Sequence, residues 1–222
     1  MHRRDKKWAR RVWEILNRSI SLDQGQFVVD YAKDPFKILL SIILSQNTSE
    51  KNSIAAFKRL KEEIGTSPEI LANVPLEKLE ETIRISGLYK QKAKTIKRLA
   101  EEVLHGLDIN ELLTHDIKHI RQTLLSIEGI GKKTVDVLLA IYGKRIMGID
   151  THAKRIAIRW GIAKSSNYDE IQRAYVELFD FVDNYDRLHK LIIILGKKFC
   201  TSRKPKCDIC PINTLCPKLN IE

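Results

Sequence analysis

The first 199 residues of this 222-residue chain contain no cysteine; all four lie in the last 23. Any disulfide staple is therefore confined to the C-terminal end. Long apolar runs are missing too. The longest, Ile38–Leu44 (broken by Ser41) and Leu191–Leu195, fall far short of the roughly 20 residues that a bilayer-spanning helix needs. No apolar stretch of the secretory-signal kind follows the basic N-terminus, so a cytosolic protein is expected. Alternating apolar–polar strand patterns are absent, as are low-complexity segments and flexible linkers.

What is present is positive charge and helical periodicity. Lys+Arg number 39 against 28 Asp+Glu, a net charge of +11. That balance favours a polyanionic partner, although a Lys/Glu-rich surface of thermophilic type would also produce it. Apolar residues recur at i, i+3 and i+4 in Trp8–Ile15, Phe36–Leu44, Ile54–Leu60, Ile96–Val103, Thr134–Tyr142, Ile171–Phe181 and Leu188–Leu195, which predicts helices. Turn signals separate them, and Ser67-Pro68 and Asp34-Pro35 have the form of an N-cap followed by proline at N1. The expectation is an all-α protein of about ten helices, with Leu191–Leu195 inside a buried helix rather than an unpaired strand.

Three places carry chemistry. In Glu128-Gly129-Ile130-Gly131-Lys132-Lys133-Thr134, an apolar helix runs into a Gly-x-Gly turn and a new basic helix begins. Free N–H groups and the positive end of the helix dipole suit such a start to an anion such as a phosphate; an ordinary αα-turn is the bland alternative. Gly87-Leu88-Tyr89-Lys90-Gln91-Lys92-Ala93 echoes the pattern. Lys133, at the helix start beside Lys132, is a candidate nucleophile, because both neighbours lower the pKa of its amine if the site is desolvated. Asp150, in Gly148-Ile149-Asp150-Thr151-His152, suits an N-cap. Alternatively it is a carboxylate that stabilises a developing cation or removes a proton. His152 reads as structural or as a phosphate contact.

Cys200, Cys207, Cys210 and Cys216 follow the spacing C-x6-C-x2-C-x5-C. Cytosolic chains rarely keep disulfides, and four thiolates can hold either zinc or an iron–sulfur cluster. Spacing alone leaves both open. Lys197, Lys198, Arg203, Lys204, Lys206 and Lys218 surround the loop and would give it a second basic face.

Taken in order, Leu44-Ser45-Gln46, Gly87-Leu88-Tyr89 with Lys92-Ala93, the hairpin with Lys133, Ile149-Asp150-Thr151-His152 and the cysteine loop resemble the endonuclease III family of helix–hairpin–helix DNA glycosylases. The resemblance runs from about Pro35 to Pro217. It implies a two-domain all-α fold with a DNA groove between the domains. One domain is a six-helix barrel over residues 27–144; the other, 1–26 with 145–222, carries a [4Fe–4S] cluster on the four cysteines. It further implies that Lys133 and Asp150 are catalytic, and that Gln46 fills the gap left by an extruded base while Leu88 wedges the opposite strand. Gly129, Gly131, Lys132, Thr134 and His152 are then expected at the DNA backbone. The partner is double-stranded DNA with a damaged base or abasic site, and a monomer associated with the nucleoid is expected.

Two departures stand out. Ser49, with Glu50 next, occupies the place where many pyrimidine-lesion members carry an acidic residue, and the Lys133–Asp150 spacing is about one residue short. The leading expectation is a bifunctional glycosylase/AP lyase for oxidised pyrimidines. The alternatives are a monofunctional glycosylase for mismatched thymine, uracil or adenine, and a non-catalytic DNA-binding protein with structural zinc.

Overall fold

The computed structural model describes residues Arg4–Ile221, and among them every regular element is a helix. No helix of the described residues is long and apolar enough to cross a membrane. The chain divides into two units, Asp23–Leu138 and Met1–Leu22 with Leu139–Glu222. The second join lies inside helix α9 (Lys132–Ile141), where a continuous helix carries no turn signal; the sequence expectation placed it at 144, in the following loop.

In the unit Asp23–Leu138, α2 (Pro35–Ser45) is buried on nearly every side, from Pro35 through Leu44. A helix apolar all round belongs inside a core. Asp34 caps its start, accepting from the Lys37 amide at 2.9 Å, and Pro35 occupies the first turn. Helix α2 packs against α3 (Glu50–Glu63), α6 (Tyr89–Leu104) and α7 (Ile109–Leu112), and the unit also contains α4 (Pro68–Asn73), α5 (Leu76–Thr82) and α8 (Ile117–Leu125). A 3₁₀ turn, Val28–Tyr31, precedes α2, and another, Arg84–Ser86, leads into α6. Helix α6 packs on α4 and α5 and buries Ala93, Ile96, Leu99 and Ala100.

The other unit contains α1 (Lys6–Ser19), α10 (Thr151–Trp160), α11 (Tyr168–Leu178) and α12 (Tyr185–Lys198). Trp160 is its aromatic centre. Its ring centroid lies 5.3 Å from that of Trp8 and 6.3 Å from those of both Tyr175 and Phe179. Leu191–Leu195 lies within α12, with Leu191, Ile192, Ile194 and Leu195 buried.

The twelve α-helices among the described residues exceed the roughly ten expected. The additional ones are short: α4, α5 and α7 have 6, 7 and 4 residues. One or two turns leave no room for apolar periodicity; Ser67 and Asp108 cap α4 and α7, whereas α5 has no side-chain cap.

Helices α8 and α9 are stapled by a bidentate ion pair. Arg121 Nε and Nη2 donate to Asp136 Oδ1 and Oδ2 at 2.8 and 2.7 Å, and the Asp136 side chain is fully buried. Removing one partner of such a pair leaves a charge in a dry site, whereas replacing both with apolar groups is much milder. Arg121→Met is therefore expected to lower unfolding stability by about 3–5 kcal/mol, and Arg121→Met with Asp136→Leu by clearly less. Urea denaturation of the two variants measures the difference.

Candidate active site

The hairpin between α8 and α9 is held from below by Ile127 and Ile130, both buried. Gly129 has φ +95°, and a Cβ there would lie 1.9 Å from Thr95 Oγ1 on α6. Glycine is thus required at this point by backbone conformation and by close approach. Arg98 of α6 also pairs with Glu128 at 2.8 Å, an exposed contact of small energetic value. Gly131 differs: a Cβ there would meet nothing within 4 Å. Its carbonyl accepts from the amides of Thr134 and Val135 and opens α9. Lys132 is exposed, Lys133 half-buried and Thr134 buried on that first turn.

The structure brings Gln46 to the same place. Gln46 follows α2, and its Nε2 donates to Thr134 Oγ1 at 3.1 Å. The next residue, Asn47, has φ +49°. Ser49 is the N-cap of α3, accepting from the Asn52 amide at 3.2 Å. The Glu50 carboxylate is turned to the Val28 amide at 3.3 Å.

Leu88 lies just before α6. It is 52% exposed and has φ +49°, and Gly87 before it has φ +67°. A non-glycine residue in the left-handed region costs about 1–2 kcal/mol, and an exposed leucine recovers little of that by burial. Ile85, 48% exposed on the adjoining 3₁₀ turn, extends the apolar tip. Behind the tip, Lys92 is only 2% exposed. Its Nζ donates to Leu44 O at 2.8 Å and to Ser86 O at 2.7 Å. Burial lowers the pKa of this ammonium to about 8.

In the other unit, half-buried Asp150 is the N-cap of α10, its Oδ1 accepting from the Ala153 amide at 2.7 Å. The fully buried Tyr175 donates from its hydroxyl to Ala153 O at 2.9 Å. Burial, and then the charges of Asp150 and Cys200, raise its phenol pKa well above the ordinary value. His152 packs against Gly196 of α12, where a Cβ would come within 2.6 Å of its ring nitrogen. Arg155 Nη2 stands 3.0 Å from His152 Nδ1, which makes Nδ1 the acceptor. Lys133 and Asp150 belong to different units.

The four cysteines line one pocket, with Trp160, Leu195, Phe199, Pro205 and Ile212 among its walls. All four are half-buried and none forms a disulfide. Arg159, almost fully buried, anchors the loop. Its Nη1 donates to Cys200 Sγ at 3.3 Å and to Thr201 O at 2.6 Å, and its Nη2 to Ser202 O at 3.1 Å. Arg155 Nε holds Cys200 O at 2.8 Å, and Trp8 Nε1 holds Leu215 O at 2.9 Å. Burial, and then the neighbouring cysteines, push the Cys210 thiol up to about 11. Among the described residues no three His, Cys, Asp or Glu side chains are drawn together closely enough to hold a metal ion. The donor set in the pocket is nonetheless all sulfur, in apolar walls, which suits an iron–sulfur cluster or zinc rather than a hard cation.

Ile85, Thr95 and Arg159 escaped the sequence analysis. Each looks ordinary in the sequence, an apolar residue in a mixed run, a mid-helix threonine and one arginine among many. Only exposure, contact and burial single them out.

Residues 40–180 match the family of HhH-GPD superfamily base excision DNA repair proteins, and residues 200–216 match the iron-sulfur binding domain of endonuclease III. Endonuclease III of Sulfolobus acidocaldarius is 36% identical over 215 residues, 94% of this chain and 95% of that protein. Endonuclease III of Thermotoga maritima is 30% identical over 186 residues, 82% of this chain and 83% of its own. Among solved structures, a trapped endonuclease III–DNA covalent intermediate superposes with TM-score 0.79 at 24% identity, covering 98% of this chain and 97% of that one. A thermostable thymine-DNA glycosylase superposes with TM-score 0.77 at 22% identity, covering 96% of each chain. These two structures establish the fold, and the match of residues 200–216 identifies the cysteine loop as an iron–sulfur binding motif.

Burial lowers the His152 pKa below its ordinary 6.5. The unfolded chain therefore takes up that proton first as pH falls, and the stability tied to neutral His152 is present above 6.5 and lost below it. His152→Asn is expected to show a smaller drop in urea midpoint between pH 8 and pH 5 than the wild type.

Proposed function

Because the chain belongs to the HhH-GPD superfamily of base excision DNA repair proteins and is endonuclease III-like over most of its length, we propose that it is a bifunctional DNA glycosylase and AP lyase acting on oxidised pyrimidines. The observation that carries this reading is Lys133, half-buried on the first turn of α9 directly after the Gly129–Gly131 turn. An amine there lies beside the backbone N–H groups of a helix start, which attract a DNA phosphate. The open space at Gly131 lets a phosphate approach the backbone closely, and Lys132 and Thr134 flank it.

The proposed sequence begins with extrusion of the damaged base, at a cost of a few kcal/mol that is lowest for a poorly stacked lesion. Gln46 enters the gap and Leu88 wedges the opposite strand. The exposed, strained conformation of Leu88 supports that role, because the fold itself gains little from it. The lone pair of Lys133 Nζ attacks C1′, and the bond from C1′ to the base breaks with its electron pair leaving on the base. Asp150 stabilises positive charge developing on the sugar and assists proton removal. Ring opening yields the Schiff base. Loss of a C2′ proton then expels the 3′ phosphate, cutting the strand 3′ of the lesion. His152 contributes to the phosphate surface.

Cys200, Cys207, Cys210 and Cys216 would hold a [4Fe–4S] cluster. The group supplies positive charge that stabilises four adjoining thiolates, and so a fixed shape for the basic loop around them. It takes no part in the bond-breaking steps. Residues 27–144 form the helix–hairpin–helix domain in this reading, and the enzyme acts as a monomer on double-stranded DNA of the nucleoid.

Borohydride trapping on duplexes carrying thymine glycol, uracil or an abasic site tests the reading. Wild type is expected to form a covalent adduct, and Lys133→Ala none while still binding DNA; an adduct with Lys133→Ala rules out that lysine as the nucleophile. In the same assay Asp150→Asn should slow base release on the order of a hundredfold or more. Base release without any adduct would instead point to a monofunctional mismatch glycosylase.

A further inference from the structure

Lys92 is the most deeply buried lysine of the chain, only 2% exposed, and its ammonium is held by backbone rather than by a carboxylate. Its two acceptors are Leu44 O and Ser86 O, at 2.8 and 2.7 Å. Leu44 precedes Gln46 by two residues, and Ser86 precedes Leu88 by two. One nitrogen thus bonds the chain at the same distance upstream of each residue proposed to enter the duplex. We infer that Lys92 is a positioning residue that holds the Gln46 loop and the Leu88 loop as one rigid pair. The inference rests on the reading that Gln46 and Leu88 insert into DNA.

Several observations favour this role over simple packing. Leu44 O belongs to the last turn of α2, where carbonyls have no partner within the helix. That turn contains no basic residue of its own, so the cation that favours a helix C-terminus arrives from α6. Ser86 ends a 3₁₀ turn followed by Gly87 and Leu88, both at positive φ, and for Leu88 that conformation persists only when its surroundings enforce it. A neutral hydroxyl could cap only one of these carbonyls. The compact ammonium, with three donors, can bond both from one point, despite the cost of burying a charge that depresses its pKa. The Gln46–Thr134 hydrogen bond extends the same unit to the first turn of α9.

Single-turnover rates on two substrates test the inference. A duplex carrying thymine glycol requires the base to be extruded; single-stranded DNA with an abasic site does not. Lys92→Met is expected to lower the duplex rate at least about tenfold more than the single-strand rate, as for a small displacement of groups that must be placed accurately. Lys92→Arg should recover part of the loss. A variant that is merely less folded loses both rates in proportion, and that result, or an unchanged ratio, overturns the inference. A second measurement leaves Lys92 in place. If the two loops act as one, Gln46→Ala with Leu88→Ala loses less than the product of the single losses; losses that multiply overturn it. If neither single variant slows duplex processing, the insertion reading itself fails and takes the inference with it, an outcome distinct from normal effects at Gln46 and Leu88 with none at Lys92.

Discussion

A fold made of short helices has many helix ends, and each end presents carbonyls that its own helix cannot bond. In the unit Asp23–Leu138, α6 meets this constraint for several of its neighbours. Lys92 of α6 takes the carbonyls of Leu44 and Ser86, and Lys97 of the same helix takes those of Ala72 and Val74 at 2.6 and 2.8 Å. A lysine stem lies along apolar neighbours while its head reaches a polar group, so α6 packs and caps at once. About two turns of this helix thereby locate the ends of α2 and α4, the Arg84–Ser86 turn and, through Thr95, the Gly129 hairpin.

The hairpin illustrates how two similar residues serve different ends. Gly129 is needed inside the fold, where Thr95 leaves no volume for a side chain. Gly131 is not needed there, since the space beside it is open. A side chain omitted where nothing crowds it leaves the backbone accessible from outside. The same logic applies to Leu88: strain and exposure together mean that the residue is not serving the core, whereas the buried Ile127 and Ile130 clearly are.

In the other unit, a basic side chain again does the fastening. Arg159 bonds one cysteine sulfur and two carbonyls of the cysteine loop, and the loop's far end reaches back to it through the Leu219 amide. Turn hydrogen bonds such as Cys210 N to Cys207 O and Cys216 N to Ile212 O shape the loop locally, and α10 fastens it to the helices. A hydrogen bond to a thiolate also lowers the electron density on sulfur, one of the means by which proteins tune iron–sulfur clusters.

Much of this was legible in the chain itself. Apolar residues at helical spacing predicted the longer helices, because burial of one face writes directly into sequence; Asp34-Pro35 and Ser67-Pro68 marked helix starts because their caps are local. The ordered motifs and the cysteine loop identified the family, since chemistry needs particular side chains wherever the chain places them. The short helices α5 and α7 were not legible, being shorter than the period that would reveal them, and of α4 only the capped start was. The motif Gly87-Leu88-Tyr89 with Lys92-Ala93 singled out Lys92 without giving it a role, and nothing in the sequence distinguished Arg159 from the other arginines. Their roles follow from burial and from carbonyls or sulfur supplied by distant segments: Leu44 is 48 residues from Lys92, and Cys200 is 41 from Arg159. Local capping and periodicity are properties of neighbours along the chain. Which charge is taken out of water, and what replaces the water, is decided only when tertiary structure brings those segments together.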